Sequence, residues 1–423
     1  MKISHVIVPA ALIAALFFPP SGKYSSPGLA LAPIFASENA PTREILRLIH
    51  AVIDETDESK RQDLLGELRA YQADATALLW LKLLRDTAWV KKKVRIIDMM
   101  AEYGDRSFVL PLANLLISPQ SAVRQSAARA LKKGGDDRLY PVILSMVNSD
   151  VPVHKIYFIE AMNHLFDHRF YHSLTGLLRD ENKSIRIYVI NCLKENRILE
   201  SLGLIRGSAL NDRNDEVRVV AIEALGALRD GNSLGTLHLV LNDRNRDVRR
   251  ESARSLQLIG SMMSVNALSS RLLNEDDGEI KEIMMDTLAA LRRVGDVRGL
   301  ERVLLSEKKA DLRIKAAHVI GFSASGAALS ALQRALPDPD FRVRAEACNS
   351  LGNYRNRQSL ESLFDILGSG DRVYVRTAAL HSIRRIKDKS SLMGLFDLFT
   401  VEKDPIVREL LKDAIREYIK RFV

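Results

Sequence analysis

Four residues between Met162 and His172 have the types that metal chemistry uses: His164, Asp167, His168 and His172. Two imidazoles four residues apart can share a metal ion when both lie on one face of a continuous helix. The apolar pattern here breaks that condition. It ends one helix at His164, puts Asp167-His168 in a turn and starts the next helix at His172. His164, His168 and His172 are therefore expected as turn and surface residues, with metal ligation the weaker candidate role. No His is followed by Glu, and no Gly-rich phosphate loop, serine-nucleophile elbow or CxxC pair occurs. Acids recur throughout in turn contexts, so no carboxylate pair stands out. The sequence predicts no catalytic centre and no cofactor, and the chain is expected not to be an enzyme.

The elements around these residues are periodic. A Val-Arg pair or a close equivalent returns at Ile185-Arg186, Val217-Arg218, Val248-Arg249, Ile280-Lys281, Leu312-Arg313, Val343-Arg344, Val375-Arg376 and Val407-Arg408, every 31 or 32 residues. Val123-Arg124 stands two periods before Ile185, with a blurred copy near Val153-His154-Lys155 and a degenerate one at Val94-Arg95. Self-similarity at such a period predicts a stack of identical supersecondary units. Within residues 339–370, Val343, Ala347, Ser350 and Leu351 outline a first helix, A, from about Phe341 to Gly352. Leu360, Leu363 and Leu367 outline the inner face of a second, B. Similar combs occur as Val109/Leu112/Leu116, Tyr140/Ile143/Val147, Tyr171/Leu174/Leu178, Leu234/Leu237/Leu241, Leu329/Leu332/Leu336 and Leu392/Leu395/Phe399. Nothing in the period reads as a strand. The predicted fold is all-α, an α-solenoid of about 11–12 stacked helical hairpins.

An acid precedes many of the anchors by five residues: Asp180, Asp212, Asp243, Glu275 and Asp338. Such carboxylates can cap free amide groups at a helix start. With the basic anchors Arg124, Arg186, Arg218, Arg249, Arg313, Arg344, Arg376 and Arg408 they are expected to form a structural ladder along the stack. A row of arginines holding an anionic ligand is the alternative.

The order of acid, Val-Arg, Ala, Ala-Leu-Gly, a turn with Asp and an apolar helix resembles HEAT repeats. Val217 to Gly226 and Val343 to Gly352 are the closest local matches, and the short period resembles the phycobilisome-lyase-type HEAT-like subclass. The resemblance covers residues 89–423, more weakly 57–88. It implies a superhelical architecture but transfers no reaction, because such repeats serve unrelated functions.

The ends differ from the middle. Lys2 and the apolar run Val6 to Phe18 fit a secretory signal, with small residues near Ala36-Ser37 for cleavage. The run is too short to span a membrane. Expected divisions are 1–37, signal peptide; 38–88, an N-terminal helical cap and irregular first repeat; 89–402, the repeat array; and 403–423, a capping helix with a charged outer face. Solenoid ends need such polar caps. Cys192 and Cys348, the only two cysteines, fall in different repeats and are expected as separate buried thiols.

The formal charge of +9 is spread among interleaved acids and bases, as in Asp243-Arg244-Asn245-Arg246-Asp247, and aromatic residues are only 6% of the chain. Neither feature favours nucleic acid. Lys91-Lys92-Lys93, the one tight basic run, is expected to be a solvated helix end. The functional expectation is an exported (periplasmic or extracellular) monomeric scaffold that binds a protein partner through its surface, with no membrane span once the signal is removed. The alternatives are a lyase-type or modification-enzyme subunit and a cytosolic nucleic-acid-binding solenoid. The unit 151–180 and the Leu199 to Ala209 segment, where the comb fails at Arg206, depart most from the repeat and are the best pointers to a site.

Overall fold

The computed structural model describes residues 40–134, 136–149 and 151–422; the predicted signal segment lies outside these residues. Among the described residues there are 24 α-helices and no strand: three lead into ten alternating pairs of A and B helices, and one follows them. The chain divides into two compact units, residues 1–196 and 197–423.

In the first unit three helices, Ala40–Asp54, Glu58–Arg69 and Ala73–Asp86, precede the regular array. Ala40–Asp54 is amphipathic and buries Ile45, Leu48, Ile49, Val52 and Ile53. The A helices Val90–Tyr103, Ser121–Gly134, Pro152–Leu165 and Lys183–Glu195 then pack each against the next. Short B helices, Val109–Asn114, Leu139–Val147 and Tyr171–Gly176, lie between them in sequence.

The second unit opens on the B helix Leu202–Asn211. It continues with the A helices Asp215–Ala227, Arg246–Ile259, Gly278–Leu291, Ala310–Ile320, Phe341–Leu351 and Val373–Ile386, and ends on Pro405–Phe422. The B helices between them begin at Leu234, Val265, Arg298, Gly326, Arg357 and Ser391. The last helix buries Val407, Leu411, Ala414, Ile415 and Tyr418, and the Tyr418 hydroxyl donates to the Ile383 carbonyl at 2.9 Å.

Turn chemistry explains how A gives way to B. A single 3₁₀ turn leads into many B helices, and an Asp or Ser side chain accepts from the amide two residues on. Asp105, Asp167, Asp230 and Ser261 hold the amides of Ser107, Arg169, Asn232 and Met263 in this way. Leu360, Leu363 and Leu367 are buried as the comb predicts. In four hairpins the buried set shifts: Leu139 and Met146 are buried in place of Tyr140 and Val147, Leu177 in place of Leu178 and Ala335 in place of Leu336, while Leu392 and Phe399 are half-buried on either side of the buried Leu395. Tyr140 and Tyr171 are only half-buried, and Tyr140 stacks on the buried Phe170 with ring centroids 5.0 Å apart.

Neighbouring A helices approach closely through pairs of small residues. A Cβ on Gly226 would lie 2.4 Å from the Ser255 Oγ, one on Gly321 2.7 Å from Ser350, and one on Gly352 2.8 Å from Ser382. The glycine is needed for space there. Cys192, Ser255, Ser350 and Ser382 occupy equivalent buried positions, which explains a cysteine without chemistry at that site.

Candidate functional site

The recurring arginines occupy one geometry. The Arg249 Nη1 donates to the carbonyls of Asp243 (3.0 Å) and Arg244 (3.2 Å) in its own repeat, while its Nε and Nη2 reach the Glu275 carboxylate of the next at 2.9 and 3.2 Å. Arg313 repeats this with the Glu307 carbonyl (2.9 Å) and Asp338 (2.8 and 2.9 Å). Arg344 does so with the Asp338 carbonyl (2.7 Å) and Asp371 (2.7 and 2.5 Å). Arg218 holds the Asp212 carbonyl and Asp243, both at 3.0 Å. Arg376 binds the Leu367 carbonyl at 2.8 Å and pairs with Glu402. Lysine fills the role twice, Lys281 to Glu307 at 2.7 Å and Lys155 to Asp180 at 2.8 Å.

The two ends of the series depart from this pattern. Arg124 holds the Ser118 carbonyl (2.7 Å) but pairs with Glu160, and its guanidinium lies 4.0 Å from the Tyr157 ring centroid. Arg408, in the last helix, stacks on Phe399 at 5.1 Å. Arg186 is buried and donates to the Asp180 carbonyl at 2.7 Å.

The acids do a different task from the one expected of them. Asp180, Asp212, Asp243 and Asp338 accept from the amides of Asn182, Asn214, Asn245 and Asp340, two residues on, at 2.7–2.9 Å. They lock the loop and do not cap the helix. The caps are those second residues: Asn182 on Ser184, Asn214 on Glu216, Asn245 on Asp247 and Val248, and Asp340 on Arg342. The sequence signal is an Asn or Asp three residues before most anchors, as at Asn182, Asn214, Asn245, Asp277, Asp340 and Asp404; Lys309 and Arg372 stand there before Leu312 and Val375 and supply no side-chain cap. Lys281 beside Glu307 and Arg344 beside Asp371 hold those carboxyls below the usual range. At Glu275 burial pushes the pKa up, and the Arg249 hydrogen bond, the Asp277 amide and the charge of Arg271 more than reverse it. This spine consumes its own charges, so it offers little to an anionic ligand.

The structure does not gather the histidines into a ligand set. His164 lies at the end of Pro152–Leu165, half-buried; burial, then Arg129 and Lys132, push its pKa down. His168 and His172 are exposed, edge-on to Phe166 and Tyr171. Asp167 is engaged by Arg169 through both amide and guanidinium. Among the described residues no group of three or more His, Cys, Asp or Glu could hold a metal. His164 instead borders a cleft of about 270 Å³ with Lys132, Tyr140, Phe166 and Arg169. A smaller cleft of about 190 Å³, lined by Arg106, Phe108 and Lys133, sits one repeat earlier. Both are gaps between successive A–B turns and follow from the repeat.

Arg206, where the comb fails, is a structural substitution: its Nη1 reaches Asp230 at 2.8 Å, and Asp230 also takes the Ser233 hydroxyl. Burial pushes the thiols of Cys192 and Cys348 up to about 12, which keeps them protonated and unreactive. No helix among the described residues is long and apolar enough to cross a membrane.

A family model described as HEAT repeats matches residues 205–289, 297–384 and 331–416. The bilin biosynthesis protein MpeU of Synechococcus sp. (strain WH8020) is 30% identical over 115 residues, which are 26% of this chain and 38% of that protein. The chain therefore matches well under two thirds of this curated relative's length. Among solved structures, Kap121p bound to RanGTP aligns over 89% of this chain and 49% of its own, with a TM-score of 0.53 and 13% identity. The karyopherin Kap121p bound to the extreme C-terminus of the protein phosphatase Cdc14p aligns over 92% and 52%, with a TM-score of 0.50 and 14% identity. These likenesses are of fold alone.

Proposed function

We propose that this HEAT-repeat protein is an exported, non-catalytic scaffold that holds a protein partner against its B-helix side. The observation that carries the reading is the exposure of large apolar side chains there. In the second unit Leu239 is 66% exposed, and Met263, in the 3₁₀ turn that opens the next B helix, is 76% exposed. Methionine and leucine on a repeat surface adapt to a partner without demanding polar matching. The charged groups of the spine are meanwhile committed to internal pairs, which suits presentation and not chemistry. Export rests on Lys2 and the apolar run Val6 to Phe18.

The test compares intact mass, compartment and crosslinked partners of the native protein with those of a Leu239→Glu/Met263→Glu variant. The expected result is a chain beginning near Glu38 outside the cytoplasm, with a protein partner captured by the wild type and lost from the variant. A full-length cytosolic chain would overturn export, and a partner retained by the variant would overturn the surface. The stretch similar to MpeU favours a second reading, a subunit in bilin biosynthesis. Visible absorbance that copurifies with the protein would support it.

A further inference from the structure

The spine changes character in the first unit. In later repeats a carboxylate stands five residues before the anchor, as in Asp243, Glu275, Glu307 and Asp338. In three successive earlier repeats that place is taken by Trp89, Ser118 and Ser149. The caps change too. Asn182 caps its helix, whereas Val90–Tyr103 and Pro152–Leu165 start on Trp89 and Val151 with no side-chain cap. An apolar residue at this position forgoes the stabilisation a polar cap supplies.

These turns meet at one edge, because the A helices that follow them pack side by side at the roughly 8–10 Å separation of packed helices. The Ser126 hydroxyl donates to Asp98 of the preceding A helix at 2.7 Å, fixing that register. This edge exposes four large apolar side chains: Trp89 is 80% exposed, Val151 45%, Val153 39% and Ile117 38%. Lys91 and Lys92 beside it are exposed, and among the described residues no carboxylate pairs with them or with Lys93. An exposed indole next to a lysine run, in line with further exposed apolar side chains at the turns, matches the two layers of a lipid headgroup region.

We propose that this edge is a peripheral docking surface for an anionic phospholipid bilayer. Trp89, Ile117, Val151 and Val153 enter the headgroup region, and Lys91, Lys92 and Lys93 meet the lipid phosphates. Turn tips that project outward favour a deformable lipid surface over a folded protein, which would need a matching groove. The inference is independent of the partner-scaffold reading.

The two tryptophans make the test direct, since Trp80 is fully buried and Trp89 is not. The full chain is mixed with vesicles of phosphatidylcholine alone or with phosphatidylglycerol, and acrylamide quenching is recorded. Anionic vesicles should shift the emission to the blue and reduce quenching to the level of a Trp89→Phe variant, whereas neutral vesicles should not. Lys91→Gln/Lys92→Gln/Lys93→Gln should weaken partitioning about a hundredfold, at several-fold per lysine, with unchanged circular dichroism. The apolar run Val6 to Phe18 can tether the chain to either vesicle, so tethering without protection of Trp89 overturns the proposal. Wild-type partitioning by the triple variant does so as well. Protection of Trp89 by a protein from the native fraction, with none by vesicles, would reassign the edge to a protein partner.

Discussion

Arg249 and Glu275 are joined by two hydrogen bonds across adjacent repeats, and Glu275 is almost wholly removed from water. Arg271 reaches the same carboxylate at 2.9 Å, so one buried acid serves two guanidinium groups. Removing one member of a buried pair strands the other charge, which costs far more than the intact pair contributes. Glu275→Ala should therefore destabilise the second unit by about 3–5 kcal/mol. Glu44→Ala, which breaks an exposed pair with Arg47, should cost little, because solvent screens that pair. Urea unfolding of both variants decides it; equal losses would show that the spine is no stronger than a surface pair.

Acid should weaken the same links. Glu275, Glu307, Asp371 and Glu402 all have folded pKa values below their ordinary ones. A depressed folded pKa gives stability that is complete above the unfolded value, about 4, and is lost as pH falls through the folded one. The melting temperature should be flat from about pH 7 to 5 and fall below about 4.5. Calorimetry across that range checks it, and a fall already complete by pH 6 would point to another group.

Close helix approach gives a third expectation. Gly226→Ala places a methyl against the Ser255 Oγ, Cβ and Cα, and the last of these is backbone. Overpacking of this kind costs about 1–3 kcal/mol. Ser255→Gly in the same chain should restore part of the loss. Gly207→Ala is the control. Its Cβ meets nothing within 4 Å, and in a helix the change should be neutral or stabilising by up to about 1 kcal/mol. Thermal melts that rank Gly207→Ala below Gly226→Ala would refute the spatial argument.

The thiols yield a fourth. Cys192 and Cys348 are buried, with pKa values near 12. Ellman's reagent should label neither in the folded protein at pH 8 within minutes and both in guanidinium chloride. Rapid native labelling of Cys348 would mean that the second unit opens locally.

The period made the helical architecture and the positions of the basic anchors legible, since a side chain that recurs every 31 or 32 residues must meet the same surroundings each time. The partner of each anchor was only half legible. The acid five residues upstream was visible, but its bond to the loop amide and to the preceding repeat's arginine depends on how hairpins stack. Gly226 and Ser255 lie 29 residues apart, so no window of one helix reveals their contact. Trp89 was missed because a lone aromatic before a helix reads as core in sequence, and only its exposure separates it from Trp80. The histidine segment was read through its turn, which the structure places at Phe166-Asp167.

Arg218, Arg249, Arg313 and Arg344 each grip their own loop with one edge and the following loop's acid with the other. The connection is thus a handshake between like partners, with no address specific to any one position. Deleting residues 280–311, one whole period, would leave Arg249 on Glu275 and bring Arg313 to the Glu275 loop in place of the Glu307 loop it now holds, the same kind of grip. Deleting half as many would leave a guanidinium with no acid to receive it. The protein can therefore change length only in whole steps, and its surface can be lengthened or shortened without redesigning what holds it upright.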